Sequence, residues 1–262
     1  MVALRMVLSL AACARVAQGL RPMGSMLAPA ATGRAVGSPA AVGGRRRGGR
    51  SLTAPSMGAK VPWKTVFLCE YGGPIVIFPL VARGGAGVRS VEVATGLWVL
   101  HFAKRFLETL FVHSFSKSTM PLGNLFKNCG YYWTAAALVA LDVSRRGNVR
   151  VSPTAVGCWF AAEALNGYTH LHLASLRSDG SREAKVPTAW PFKFVCSPNY
   201  TFEILSWVAF TAALRSPAAA AFTLVGAAQM ALWSRGKLKR YKRKFSADPA
   251  FTATHALLPG VF

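Results

Sequence analysis

Three short stretches of this 262-residue sequence place ionisable side chains at helical spacing among apolar neighbours. In HFAKRFLETLFVH, His101, Lys104 or Arg105, and Glu108 share one helical face at steps of three and four, so Glu108 can pair with either cation. In LNGYTHLHLASLR, Asn166 and His170 stand four apart, with Arg177 a whole number of turns further on. In NYTFE, Asn199 and Tyr200 lie four and three residues before Glu203; Ser197 is placed to cap the helix and Pro198 suits its first turn. These are residue types of acid–base chemistry, and at membrane depth their cost is met only where they face a cavity or one another. A fourth group, RGKLKRYKRKF, sets Tyr241 among seven basic residues and suits the phosphates of an anionic cofactor or thioester. Plainer alternatives stand beside each: an intrahelical salt bridge with snorkelling side chains, a solvated helix end, and a basic tail that orients the chain and binds anionic lipid.

The elements that must position these groups read as membrane helices. Hydrophobic residues make up 52% of the chain and charged residues 15%, well under the roughly 25% of soluble domains. The expected fold is all-α, a polytopic membrane bundle of about six transmembrane helices over residues 65–82, 88–102 with an extension to 115, 131–143, 151–171, 201–214 and 217–233. The connections are short and none has a strand pattern of its own. Basic clusters at Arg145, Arg146 and Arg150, at Arg177, Arg182, Lys185 and Lys193, and after Trp233 lie between or behind these stretches, and the last is the strongest cytoplasmic marker.

The formal charge of +22 is unevenly built. Residues 1–60 hold nine Lys or Arg and no acid, which reads as a targeting or disordered extension before a membrane-embedded domain over 61–262. RRRGGR has no interleaved aromatic residue, so a nucleic-acid partner is excluded. Cys13, Cys69, Cys129, Cys158 and Cys196 show neither CxxC nor metal-ligand spacing, and no metal is expected. ARGGAGVRS puts Ser90 where a dinucleotide fingerprint needs its third glycine; GxSxG, Walker A and HExxH do not occur. The sequon Asn199-Tyr200-Thr201 falls on the cytoplasmic side in this arrangement, which argues against glycosylation, and no internal repeat supports a carrier.

From Trp63 to Phe262 the chain resembles the trans-2-enoyl-CoA reductases of very-long-chain fatty acid elongation, within the steroid 5-alpha-reductase superfamily. The segments carrying the resemblance are WKTVFLCEYGGPIVI, HFAKRFLETLFVHSFSKSTMPLGNLFKNCGYYW, PNYTFEILSW and LVGAAQMALWSRGKLKRYKRKF. The resemblance implies NADPH as donor, an acyl-CoA thioester as acceptor, and the lipid membrane and the other fatty acid elongation enzymes as partners. It implies a catalytic pair meeting across one cavity, Tyr200 as proton donor and Lys104 either lowering the phenol's pKa or holding the thioester. It assigns Asn199, Arg177, Tyr241, Glu203 and Arg105 to the cofactor and Glu70 to the acceptor. Three positions depart from the pattern by losing a polar group: Ala174 in LASLR, Leu238 in the basic helix and Gly123 after TMP. The same resemblance leaves open a steroid or polyprenol enone reductase, or a non-catalytic scaffold. It implies an endoplasmic reticulum location, with plastid or mitochondrion as the alternative that the acid-free extension raises.

Overall fold

The computed structural model describes residues 58–115, 119–179 and 183–258. The basic extension read over residues 1–60 lies outside the described residues as far as residue 57, as does Arg182 of the second basic cluster. The remainder is all-α, apart from one small ribbon. In chain order the elements are β1 (Lys60–Pro62), α1 (Trp63–Ala82), α2 (Arg89–Phe111), β2 (Thr119–Pro121), α3 (Gly123–Arg145), α4 (Pro153–Ser175), α5 (Pro198–Leu214) and α6 (Pro217–Lys244), with short 3₁₀ turns at Arg83–Gly85 and Trp190–Lys193.

The ribbon differs from the sequence reading. β1 and β2 pair antiparallel with Val61 opposite Met120, which ties the start of α1 to the TMP segment. It is three residues long on each side, too short for an alternating pattern to be visible. The helix starts follow local chemistry: Pro153 and Pro217 occupy first-turn positions, and Ser152 and Ser216 accept from the backbone N–H groups of Ala155 and Ala219 at 3.3 and 3.0 Å. Ser197 sits at the cap position of α5, but its hydroxyl makes no capping bond, contrary to expectation; its carbonyl accepts from the N–H groups of Tyr200 and Thr201. The chain near its C-terminus straps this helix start instead. Cys196 and Ser197 N–H donate to His255 and Ala256 carbonyls, and Thr201 Oγ1 donates to the Leu257 carbonyl at 2.7 Å.

α1 packs on α2 and α3, α4 on α5, and α5 on α6. The fully buried Trp98 joins four helices, its ring centroid lying 4.8 Å from Phe78, 5.1 Å from Trp207, 5.7 Å from Phe210 and 5.5 Å from Phe222. The α1–α3 contact depends on a glycine. Trp133 lays its indole across Gly73 and donates from Nε1 to the Cys69 carbonyl at 3.1 Å, and a Cβ at position 73 would overlap that ring. Gly73→Ala is therefore expected to cost about 1–3 kcal/mol as overpacking, read as a lowered thermal midpoint of the detergent-purified protein. Adding Trp133→Ala should return part of that loss; a single variant as stable as the native chain would refute the close approach.

At one end, three connections are stitched together. Ser90 Oγ donates to the Gly147 carbonyl and accepts from Val149 N–H, and Ser152 N–H donates to the Ala213 carbonyl. Arg146 donates to the carbonyls of Leu214 and Arg215, where Arg215 turns the chain with φ of 51°.

By length and composition, one stretch among the described residues, Trp63–Gly85, is long and apolar enough to cross a membrane. The six-span expectation is thus not met helix by helix. α5 has only 17 residues, and α2 carries His101, Lys104, Arg105 and Glu108 within its length. Large apolar side chains nevertheless face outward on every helix, among them Val76, Leu107, Trp133, Phe160, Val208 and Leu224.

Candidate active site

The polar groups singled out from sequence converge at the end of the bundle opposite the stitched connections. α2 and α4 both present ionisable faces, and α5 begins between them with Asn199, Tyr200 and Glu203. Lys104 Nζ lies 2.9 Å from Glu163 Oε2, donates to Asn166 Oδ1 at 2.5 Å, and stands 3.6 Å from Glu108 Oε1. Asn166 relays this charge cluster to α5, donating from Nδ2 to the Asn199 carbonyl at 2.9 Å and to Glu203 Oε2 at 3.1 Å. His101 holds two carboxylates, with Nδ1 2.7 Å from Glu163 Oε1 and Nε2 3.2 Å from Glu203 Oε1. Both ring nitrogens face carboxylate oxygens, so the arrangement calls for a doubly protonated ring.

The second half of the cluster is built on Arg105. Its Nη1 donates to Glu108 Oε2 at 2.5 Å and its Nη2 to the Tyr71 hydroxyl at 3.3 Å, with the guanidinium 5.3 Å from the Tyr71 ring centre. His170 Nδ1 lies 2.8 Å from Glu108 Oε2 and 2.9 Å from Arg105 Nη1. The i,i+3 pairing of Arg105 with Glu108 read from sequence is present, but both residues also bind across to other helices. Glu108, His113 and His170 bring ligand-type atoms within 4.8 Å of one another; the Arg105 guanidinium already occupies the shared Glu108 oxygen, which disfavours a metal cation there.

Beside this cluster lies a cavity of about 500 Å³. Glu70, Arg105, Arg177, Asn199, Tyr200 and Glu203 line it together. Two expected residues do not. Lys104 is turned toward Glu163 and Asn166 and is not among the lining residues, whereas the adjacent Arg105 is. The expected meeting of Lys104 with Tyr200 across one cavity is therefore replaced by Arg105 with Tyr200. Tyr241 is buried with Phe245 and Phe251 and also lies off the lining, one turn beyond Lys237, which is on it.

Several buried atoms of the lining residues make no hydrogen bond within the protein: Asn199 Oδ1, both ring nitrogens of His113, whose Nε2 lies 4.0 Å from Glu108 Oε2, and Trp233 Nε1. Buried polar atoms are normally paired, so unpaired ones gathered on residues around one cavity suit a polar ligand. Lys237 adds a charge. Its ammonium is buried over the rings of Phe192 and Tyr241 at 5.9 and 5.4 Å, with no carboxylate in ion-pair reach among the described residues. Burial lowers its pKa below the ordinary lysine value, the cations Arg240 and Arg177 push the same way, and Cys196 opposes them. Burial also lowers the pKa of Arg177, whose Nη1 donates to the Ser114 carbonyl at 2.5 Å, and raises that of the Cys196 thiol. A buried cation of this kind suits a phosphate. Glu70, 2% exposed, also lines the cavity and accepts from Asn128 Nδ2 at 2.9 Å.

Of the departures from pattern, Ala174 lines the cavity, whereas Leu238 packs in the apolar cluster around Tyr241. The sequence reading missed Glu163, Tyr71, Asn128, His113 and Trp233. For Glu163 a signal existed: Glu163, Asn166 and His170 follow at steps of three and four in α4, a polar stripe in an otherwise apolar helix. The others carried no such signal, because an isolated aromatic or amide is equally at home in a core.

Residues 118–262 match the family model for 3-oxo-5-alpha-steroid 4-dehydrogenase. The chain belongs to this family. It is 39% identical to a very-long-chain enoyl-CoA reductase of Dictyostelium discoideum over 74% of this chain and 69% of the relative. It is 37% identical to a probable very-long-chain enoyl-CoA reductase of Caenorhabditis elegans, over 76% of this chain and 72% of the relative. A putative enoyl-CoA reductase of Trypanosoma brucei is 37% identical over 80% and 75%. These relatives bear out the resemblance read from the sequence. The family's enzymes are oxidoreductases that generally need a nicotinamide cofactor, and the orphaned lining atoms and buried cations fit such a group.

Proposed function

We propose that this protein is an NADPH-dependent reductase of the 2,3 double bond in trans-2-enoyl-CoA, serving the last step of a very-long-chain fatty acid elongation cycle. The observation that carries the reading is the convergence of Tyr200, Arg105 and the unpartnered Asn199 Oδ1 on one cavity, in a chain whose relatives are named for that reaction. When bound, the reduced nicotinamide supplies a hydride to the β carbon of the acceptor.

The protein's own groups do the rest. Negative charge develops on the thioester oxygen, and Arg105, fixed by Glu108 and Tyr71, is a preorganised cation for it. Tyr200 donates its phenolic proton to the α carbon as general acid. Lys104 acts one layer back, holding Glu163 and Asn166 so that Asn166 fixes Glu203 and the Asn199 carbonyl. Asn199, Arg177, Glu203 and Lys237 are assigned to the cofactor, Tyr241 to supporting Lys237, and Glu70 to the acceptor.

We infer a multi-pass membrane location, supported by the outward apolar side chains on all six helices among the described residues. In that setting the endoplasmic reticulum and contact with the other elongation enzymes follow the resemblance, and a fluorescent fusion of residues 1–60 tests the plastid and mitochondrial alternatives. The activity is tested by oxidation of NADPH with purified protein against a panel of trans-2-enoyl-CoA thioesters and steroid or polyprenol enones. Turnover of enones without turnover of enoyl-CoA would overturn the substrate assignment, and turnover of neither would favour a non-catalytic scaffold.

Lys237 gives the cofactor assignment a pH signature. Phosphate binding needs the ammonium; raising the pH removes its proton, and the lowered pKa places that loss below the ordinary lysine value of about 10.4. NADPH affinity is expected to fall on the alkaline side in the native protein and to stay level in Lys237→Arg, measured by fluorescence titration. The same alkaline decline in both proteins would remove Lys237 from the phosphate contact.

A further inference from the structure

The stitched end of the bundle gathers six arginines from its three connections: Arg83 and Arg89 around the α1–α2 turn, Arg145, Arg146 and Arg150 around the α3–α4 turn, and Arg215 between α5 and α6. All six are exposed. None forms an ion pair among the described residues, and only Arg146 is occupied, by the Leu214 and Arg215 carbonyls. The acids at this end are Glu92, exposed in the first turn of α2, and Asp142, which accepts from Ser216 Oγ at 2.6 Å. Six cations against two acids leave an excess of four positive charges. No lysine occurs in residues 83–92, 142–152 or 211–219, although the opposite end is rich in lysine.

The choice of arginine matters physically. A guanidinium presents a planar fork that meets two oxygens of one phosphate, whereas an ammonium is a point charge. An orientation signal is satisfied by either side chain and belongs on the cytoplasmic side, where the basic end of α6 already lies in the arrangement read above. The arginine end then faces the other leaflet, where the orientation rule does not call for it. The connections are tied to one another by the Ser90, Ser152 and Arg146 bonds, so the backbone segments that carry the forks are held together at the helix ends. Large apolar side chains face outward along all six helices, so a bilayer around them would bring its headgroups to the helix ends where the arginines sit.

We propose that these six arginines form a phosphate-binding rim that seats anionic phospholipid headgroups of the leaflet opposite the active-site end. The proposal rests on the multi-pass reading but not on the reductase chemistry. It is tested on the full chain in neutral detergent, by native mass spectrometry with phosphatidylglycerol, phosphatidylcholine or inorganic phosphate added. Phosphatidylglycerol is expected to be retained about tenfold or more better than phosphatidylcholine. The combined Arg83→Gln, Arg89→Gln, Arg145→Gln and Arg150→Gln variant should lose that preference, and the matching Arg→Lys set should keep only part of it. NADPH-dependent turnover and helical circular dichroism of the variant report that it is folded. Equal retention of the two lipids, or an unchanged preference in the folded glutamine variant, overturns the proposal. So does displacement by millimolar inorganic phosphate, which would make the ligand a soluble phosphate. Cysteines placed singly at Gly84 and Asp248 in a cysteine-free chain should label from opposite sides of sealed vesicles. Labelling from the same side overturns the leaflet assignment while leaving the reductase assay untouched, and a failed reductase assay leaves the lipid result standing.

Discussion

Tyr200→Phe is expected to lower kcat with trans-2-enoyl-CoA by about 10²–10⁴-fold while NADPH binds with little change. That range is the usual contribution of one positioned general acid. The substitution removes one oxygen, leaves the ring where it packs 6.2 Å from Trp233, and disturbs none of the ion pairs in the cluster. A loss confined to kcat therefore reports proton donation. Single-turnover absorbance at the nicotinamide band, with NADPH affinity measured separately, distinguishes this from a lost binding contact. Unchanged turnover would remove Tyr200 from the mechanism and move the proton-donor assignment to another lining group such as His113.

Lys104→Met is expected to destabilise the protein by about 1–3 kcal/mol, because it removes one of the two cations that hold the buried Glu163 carboxylate and leaves His101 as its remaining partner. The Lys104 to Glu163 Oε2 distance is 2.9 Å, and Glu163 is 7% exposed. Adding Glu163→Gln should restore part of the stability, since the amide needs no cation and its oxygen still accepts from His101 Nδ1, which keeps Glu203 as its ion-pair partner. Activity separates the roles further. With Lys104 off the cavity lining, the stabilised double variant should keep measurable turnover, whereas Arg105→Met should abolish it even where the protein remains folded. Thermal unfolding and steady-state turnover of the three variants make the comparison. If the stabilised double variant is dead and Arg105→Met is active, Lys104 rather than Arg105 is the cation that serves the acceptor.

The near-exchange of Lys104 and Arg105 shows where spacing stops being informative. Both positions fall on the polar side of α2, and steps of three and four allow either to meet Glu108. Which one faces the cavity depends on what stands opposite, and that is supplied by Glu163 and Asn166 some 60 residues later. Asn166 and His170 were visible as a pair, yet the pattern could not say that one ties Lys104 to Asn199 and Glu203 while the other joins Glu108 to Arg105. Ser197 illustrates the reverse case: the residue type suited a cap, and the strap through Ala256 and Leu257 satisfied the helix start by other means.

The sequence by itself determined that the described residues fold almost wholly as helices, because long apolar runs broken by Pro and Ser leave few other ways to pair the backbone. It also determined which stretches hold the chemistry, since ionisable groups persist among apolar neighbours only with partners or a cavity. The same local rules placed Asn199 and Tyr200 in the first turn of α5 and Glu203 in the second. Only the tertiary structure decided that Arg105 lines the cavity and Lys104 does not, that His101 holds the Glu163 and Glu203 carboxylates together, and that arginines from three separate turns lie at one end of the bundle. These outcomes depend on which helix stands beside which, and side-chain contacts between helices leave no period in the chain from which they can be read.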